Sequence, residues 1–279
     1  MRLDERQSLE GGATDEFGKK VAIISGTKEY PLRAPFSPPQ NYPEYPFHPA
    51  EIDEDNLVYP MVRELLRKLE LDLANYSSET WNPLGSLIKP KDKVVIKPNY
   101  VRHFYFSRFL KDGTLSVVTH GAILRPIIDY VYIALKGKGE VVIADAPLAD
   151  ADFDKIVTLT GIKDVVNYYN RKSDGFKVNL LDLRQERIVY KWGIFPKQIK
   201  LKGDPAGYLD VDLGEYSQFN DVSPDKLCGP WFNRSRTIKA HRNGVNKNLI
   251  SATVLGADVV ISVPKLKVHR KAGVTLNLK

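Results

Sequence analysis

The stretch Pro264-Lys265-Leu266-Lys267-Val268-His269 places two lysines and a histidine at alternate positions, directly after the apolar run DVVISV (258–263). If extended geometry continues past Pro264, Lys265, Lys267 and His269 point to one face. Three cations side by side need an anion or a carboxylate to neutralise them. Two other apolar runs end in a comparable way: VVI (94–96) runs into Lys97-Pro98-Asn99, and VVIA (141–144) into Asp145-Ala146-Pro147. Lysines at such exits could hold an anion and stabilise charge that develops in a transition state. A histidine titrates near neutral pH and could act as general acid or base. His269 and His120 are the candidates for that role, with Asp145 to orient a histidine or hold a metal. Lys97, Asn99, Lys265 and Lys267 are candidate substrate-binding residues. Arg125 joins them because His120 precedes the helical pattern GAILRPIIDYVYIAL (121–135), and a helix N-terminus favours anions.

Each residue also has a plainer reading. Lys97, Lys265, Lys267 and His269 could be solvated surface groups. Asp145 could cap a turn, and Thr119 or His120 could simply cap the following helix. Asp145, His120, His241 and His269 could together hold a divalent metal, but no ligand spacing such as H-E-x-x-H is present, so the metal is left unknown. No G-x-G-x-x-G, Walker or G-x-S-x-G motif supports a dinucleotide, ATP or a serine nucleophile. Cys228 is the sole cysteine. It excludes an intrachain disulfide, and neither a cysteine zinc site nor an iron–sulfur cluster is expected from this chain.

The elements that must position these residues alternate in type. KKVAIISG (19–26) reads as a first strand, and NLVYPMVRELLRKLELDL (56–73) has apolar residues at helical spacing. KDKVVIKPNY (91–100) and GEVVIADAP (139–147) are short β-branched strands around the helix 121–135, where Pro126 is tolerable only near the first turn. DFDKIVTLTG (152–161) and IKDVVNYYN (162–170) read as short helices. VNKNLISATVLGA (245–257) reads as a helix leading into DVVISV. This alternation predicts an α/β fold with a mainly parallel, Rossmann-like sheet covered by helices on both faces in three layers. Under this reading, residues 1–19 are loose and 20–279 form a single α/β domain. It includes a Pro-rich strap over 30–50, where seven prolines fall between Pro31 and Pro49, and an irregular β-rich insertion over about 172–220.

The formal net charge is +7, and its placement is uneven: residues 231–279 hold ten Lys/Arg against the single acid Asp258, a net +9. An anion site or a partner outside the chain would use that charge. Nucleic acid is disfavoured as the partner because only Trp231 and Phe232 supply aromatic groups near this segment. No apolar run reaches the ~18 residues of a membrane span, and the N-terminus has no apolar signal segment. A cytoplasmic setting is therefore expected.

The combination VVIKPNYV, VTHGAILRPIIDYV, GEVVIADAPL and ADVVISVPKLKVHRKAGVTLNLK resembles a widespread prokaryotic family known as domain of unknown function 362. The family's recurring marks fall here on Lys97, Pro98, Asn99, Asp145, Pro147, Pro264, Lys265, Lys267, His269, Gly273, Thr275 and Lys279, and the resemblance spans roughly residues 20 to 279. Relatives often carry cysteine-rich ferredoxin-like segments, a role that one cysteine does not support. Relatives usually continue past the Gly-x-Thr segment, so the resemblance implies that a C-terminal part is missing.

The expected function is that of an enzyme or enzyme remnant binding a small anionic substrate, phosphorylated, carboxylated or sugar-derived, at the carboxyl ends of the parallel strands. The alternative is a binding or accessory module that needs a partner chain or a second copy at an exposed strand edge.

Overall fold

The computed structural model describes residues 20–27, 29–48, 50–105, 113–191, 195–227, 234–269 and 273–275. The described residues divide into two compact units: those within 20–203 together with those within 256–275, and those within 204–255. The chain leaves the larger unit after Gly203 and re-enters it at Gly256.

In chain order the larger unit contains α1 (Val58–Lys68), β1 (Val94–Pro98), α2 (Thr114–Val117), α3 (Gly121–Ala134), β2 (Gly139–Asp145), α4 (Phe153–Leu159), α5 (Ile162–Lys172), β3 (Phe176–Asp182), β4 (Glu186–Lys191) and β5 (Phe195–Lys200). The smaller unit contributes β6 (Tyr208–Asp212), α6 (Arg234–Ala240), β7 (Lys247–Ser251) and α7 (Ala252–Leu255). The larger unit then resumes with β8 (Val259–Val263), β9 (Lys267–His269) and β10 (Gly273–Thr275).

The larger unit is built on a four-stranded, all-parallel sheet in the order β3-β2-β1-β8. This is the α/β, Rossmann-like arrangement expected from the alternating pattern. Val94, Val95 and Ile96 are consecutive and all buried, so β1 is covered on both faces. β8 alternates between partly buried and exposed residues, as suits an edge. α3 crosses from β1 to β2 and α4–α5 from β2 to β3. Ala122, Leu124, Ile128 and Val131 form the buried stripe of α3. Pro126 is the sixth residue of α3, past the first turn where it was expected, and it leaves the Ala122 carbonyl without its usual intrahelical donor.

The Pro-rich strap forms no helix or strand over its described residues, yet it packs firmly. Phe36, Tyr42 and Tyr45 are buried, and Asn56 donates to the carbonyls of Phe36 (3.0 Å) and Ser37 (2.8 Å).

Three local expectations differ from the structure. Residues 20–27 form no strand, and Val21 and Ile23 are 84% and 82% exposed. Among the described residues no strand pairs with them, and propensity without a partner does not make a strand. The helix read over 245–257 is instead β7 followed by the short α7, because β7 pairs antiparallel with β6. The insertion read over 172–220 splits: β3 joins the parallel sheet beside β2, β4 and β5 form an antiparallel hairpin, and β6 belongs to the smaller unit. Within that smaller unit, Asp204 accepts the Thr253 N–H at 2.9 Å and the Ser251 hydroxyl, tying the start of the unit to the β7–α7 turn. Among the described residues, no helix is long and apolar enough to cross a membrane.

Candidate functional site

The exits of β1, β2 and β8 open onto one cleft of about 500 Å³ in the larger unit. Parallel register sets this up: Lys97 lies opposite Ser262 and Pro98 opposite Val263. Lys97 and Asn99 from β1, Asp145 from β2, and Lys267 and His269 from β9 all line the cleft. Five of the eight residues singled out by their types and spacing are thus brought together.

Asp145 organises the cleft floor. One carboxylate oxygen accepts from Lys97 Nζ at 2.9 Å, and the other accepts the Tyr100 backbone N–H at 2.6 Å. Lys97 also reaches the Pro98 carbonyl at 3.2 Å, and its side chain stays 49% exposed, against 9% for Asp145. The Lys267 ammonium donates to the Val117 carbonyl at 3.1 Å. β9 and β10 form an antiparallel pair beyond Pro264, and the Thr275 hydroxyl donates to the Lys265 carbonyl at 2.9 Å, fixing the turn that carries Lys267 and His269.

Thr119 was read only as a possible helix cap, and its actual role was not visible in the sequence. Its hydroxyl donates to the Val263 carbonyl at 2.8 Å and accepts the Asn99 N–H at 2.9 Å, while its own N–H donates to the Asn99 carbonyl at 3.0 Å. This one buried side chain ties the exit of β1 to the exit of β8. Its only sequence signal was its place beside His120.

With this geometry in hand, comparison with known families bears on one part of the chain. Residues 215–279 match the domain of unknown function DUF362. The DUF362 match includes Lys265, Lys267 and His269, while the β1 and β2 exits lie outside it. No curated protein and no solved structure matches the chain.

The other three candidates sit elsewhere. Lys265 does not share a face with Lys267 and His269, because β8 stops at Val263 and β9 starts only at Lys267, so strand alternation does not carry across Pro264. Lys265 and His120 instead line a second, larger cavity of about 980 Å³ in the same unit. His120 does cap α3: its Nδ1 accepts the Ala122 N–H at 3.1 Å. Burial first, and the neighbouring Lys265 charge second, push its pKa down to about 4.

Arg125 lines neither cavity. Its guanidinium is fully buried, pairing with Asp129 at 3.2 Å and donating to the Pro35 carbonyl at 2.9 Å and the Tyr45 hydroxyl at 2.7 Å. Tyr59 and Tyr169 donate to the two Asp129 oxygens at 2.9 and 2.6 Å. Burial, reinforced by the Asp129 charge, holds both phenols well above their ordinary pKa, so they remain donors. Arg125 therefore pins the Pro-rich strap to α3 and α5.

Among the described residues, no group of three or more His, Cys, Asp or Glu side chains could hold an ion. His241 belongs to the smaller unit, where its Nδ1 lies 3.3 Å from Asn246 Oδ1. Cys228, Trp231, Phe232 and Lys279 lie outside the described residues.

Proposed function

We propose that the cleft at the carboxyl ends of β1, β2 and β8 binds a small phosphorylated or carboxylated metabolite, with His269 as the group that gives or takes a proton. The observation that carries this reading is the convergence of Lys97, Asn99, Asp145, Lys267 and His269, from three strand exits, on one cleft. Two ammonium groups against one carboxylate leave the lining net positive before His269 is counted. Lys97 is half in water, so an incoming oxyanion can share its ammonium with Asp145 at little cost. The Asn99 side chain adds donors and an acceptor for orientation. The position beyond the carboxyl ends of parallel strands is where open α/β sheets ordinarily bind ligands.

The test is a thermal-shift and calorimetric screen with inorganic phosphate, sugar phosphates and small dicarboxylates. One anion class should raise the melting midpoint by mass action. The double variant Lys97→Ala/Lys267→Ala should lose that shift and still melt cooperatively. Binding that survives the double substitution, or no binding by any of these anions, sinks the proposal.

A second reading, a binding module completed by another chain, draws support from the exposed apolar residues Val260, Leu266, Val268 and Val274 on and beyond the β8 edge. It requires the protein to associate, so a strictly monomeric species in light scattering across the working concentration range counts against it.

A further inference from the structure

The geometry points to a second ligand site in the larger unit: the 980 Å³ cavity binds an apolar monocarboxylate, a molecule with an extended hydrocarbon body and one carboxylate head. The body would lie against Met61, Val62 and Leu65 of α1, Ile123 of α3, and Ile24. The volume is at the upper end of the range usual for small-molecule sites. The head would meet Lys265, His120 and Tyr30, which form one cluster: the Tyr30 ring stacks on His120 at 4.1 Å, and Lys265 Nζ donates to the Tyr30 hydroxyl at 2.6 Å.

All three groups present donors. Because His120 Nδ1 accepts the Ala122 N–H, the neutral ring must carry its proton on Nε2. His120 is only 5% exposed and lines the cavity, so that Nε2–H can donate to a ligand bound there. Tyr30 accepts from Lys265 and keeps its own hydroxyl proton to donate. Lys265 makes no ion pair with a carboxylate among the described residues. A carboxylate at this point would receive bonds from an ammonium, an imidazole N–H and a phenol together.

Glu29 and Asp164 also line the cavity, and their repulsion weighs about twice as heavily on a dianion as on a monoanion. The cleft beside β1 and β2 differs in this respect, since its one acid, Asp145, is already bonded to Lys97. This site is independent of the proposal for that cleft.

Calorimetry on the full chain with decanoate, 1-decanol and inorganic phosphate tests the inference. Decanoate should bind, 1-decanol should bind about tenfold more weakly because it lacks the charge, and phosphate should not compete with decanoate. Lys265→Met should weaken decanoate about tenfold and leave 1-decanol unchanged. Met61→Trp should fill the cavity and abolish both; if that variant does not fold, Leu65→Phe takes its place. Lys97→Ala should leave decanoate binding intact. Absence of decanoate binding, equal affinity for 1-decanol, indifference to Lys265→Met, or loss on Lys97→Ala would each overturn the assignment.

Discussion

Arg125–Asp129 and Lys97–Asp145 are both base–carboxylate pairs, and both bases lie where sequence reading expects an anion to bind. In the first pair the side chains are 0% and 1% exposed, and the guanidinium also lies 4.1 Å over the Tyr168 ring. Each Asp129 oxygen accepts from a phenol, Oδ2 also accepts from Arg125 Nε, and the two terminal nitrogens of Arg125 donate to Pro35 and Tyr45. With both side chains sealed from solvent, no ligand could reach the pair. In the second pair, Asp145 is equally well satisfied by Lys97 and the Tyr100 N–H, but the lysine is half in water at the lip of a cleft. A charge at the start of a helix and a charge at the end of a strand therefore cannot be told apart by residue type. Burial and the number of bonds already made decide whether a charge is structural or available.

The largest test of that contrast is Arg125→Met. It strands Asp129 in the interior with its cation gone and should cost about 3–5 kcal/mol in urea unfolding. A loss below about 1 kcal/mol would mean the buried pair matters no more than a surface one.

A second test uses pH. His120 has a folded pKa of about 4 against an ordinary 6.5, so the unfolded chain binds more protons between those values. Stability from this group is complete above pH 6.5, falls as pH drops toward 4, and loses about 3 kcal/mol across that window. His120→Asn preserves a cap and should flatten the profile there. An unchanged profile would remove burial as the dominant influence at this end of α3.

Thr119→Val removes the hydroxyl that serves both the Val263 carbonyl and the Asn99 N–H, and should cost about 1–3 kcal/mol. It should also weaken whatever the cleft binds, whereas a change in stability alone would separate the clamp from the site.

The smallest effect on stability is expected for Lys97→Met, under about 1 kcal/mol, since solvent screens this pair. Its anion affinity should fall all the same. If Lys97→Met proved as destabilising as Arg125→Met, the distinction between the two pairs would collapse.

Much of the fold was legible. α1, α3, α4 and α5 fall where apolar spacing placed them, and β1, β2 and β8 fall on the β-branched runs. Short runs bounded by prolines and glycines leave few alternatives once helices of the right length lie between them. The failures have a common cause. Residues 20–27 have a strand's composition but no pairing strand among the described residues, and residues 247–251 become a strand because β6 lies alongside. Pairing is non-local, and no window of sequence contains both partners.

The sequence by itself determined the alternating α/β pattern, the parallel sheet, and the polar clusters at three strand exits, because periodicity and strand-ending prolines are local properties. Only the tertiary structure decided that five of eight candidates share a cleft, that His120 and Lys265 face a different cavity, and that Arg125 is sealed inside. The physical reason is that strand register, the break in alternation after Pro264, and burial all arise from contacts between residues far apart in the chain.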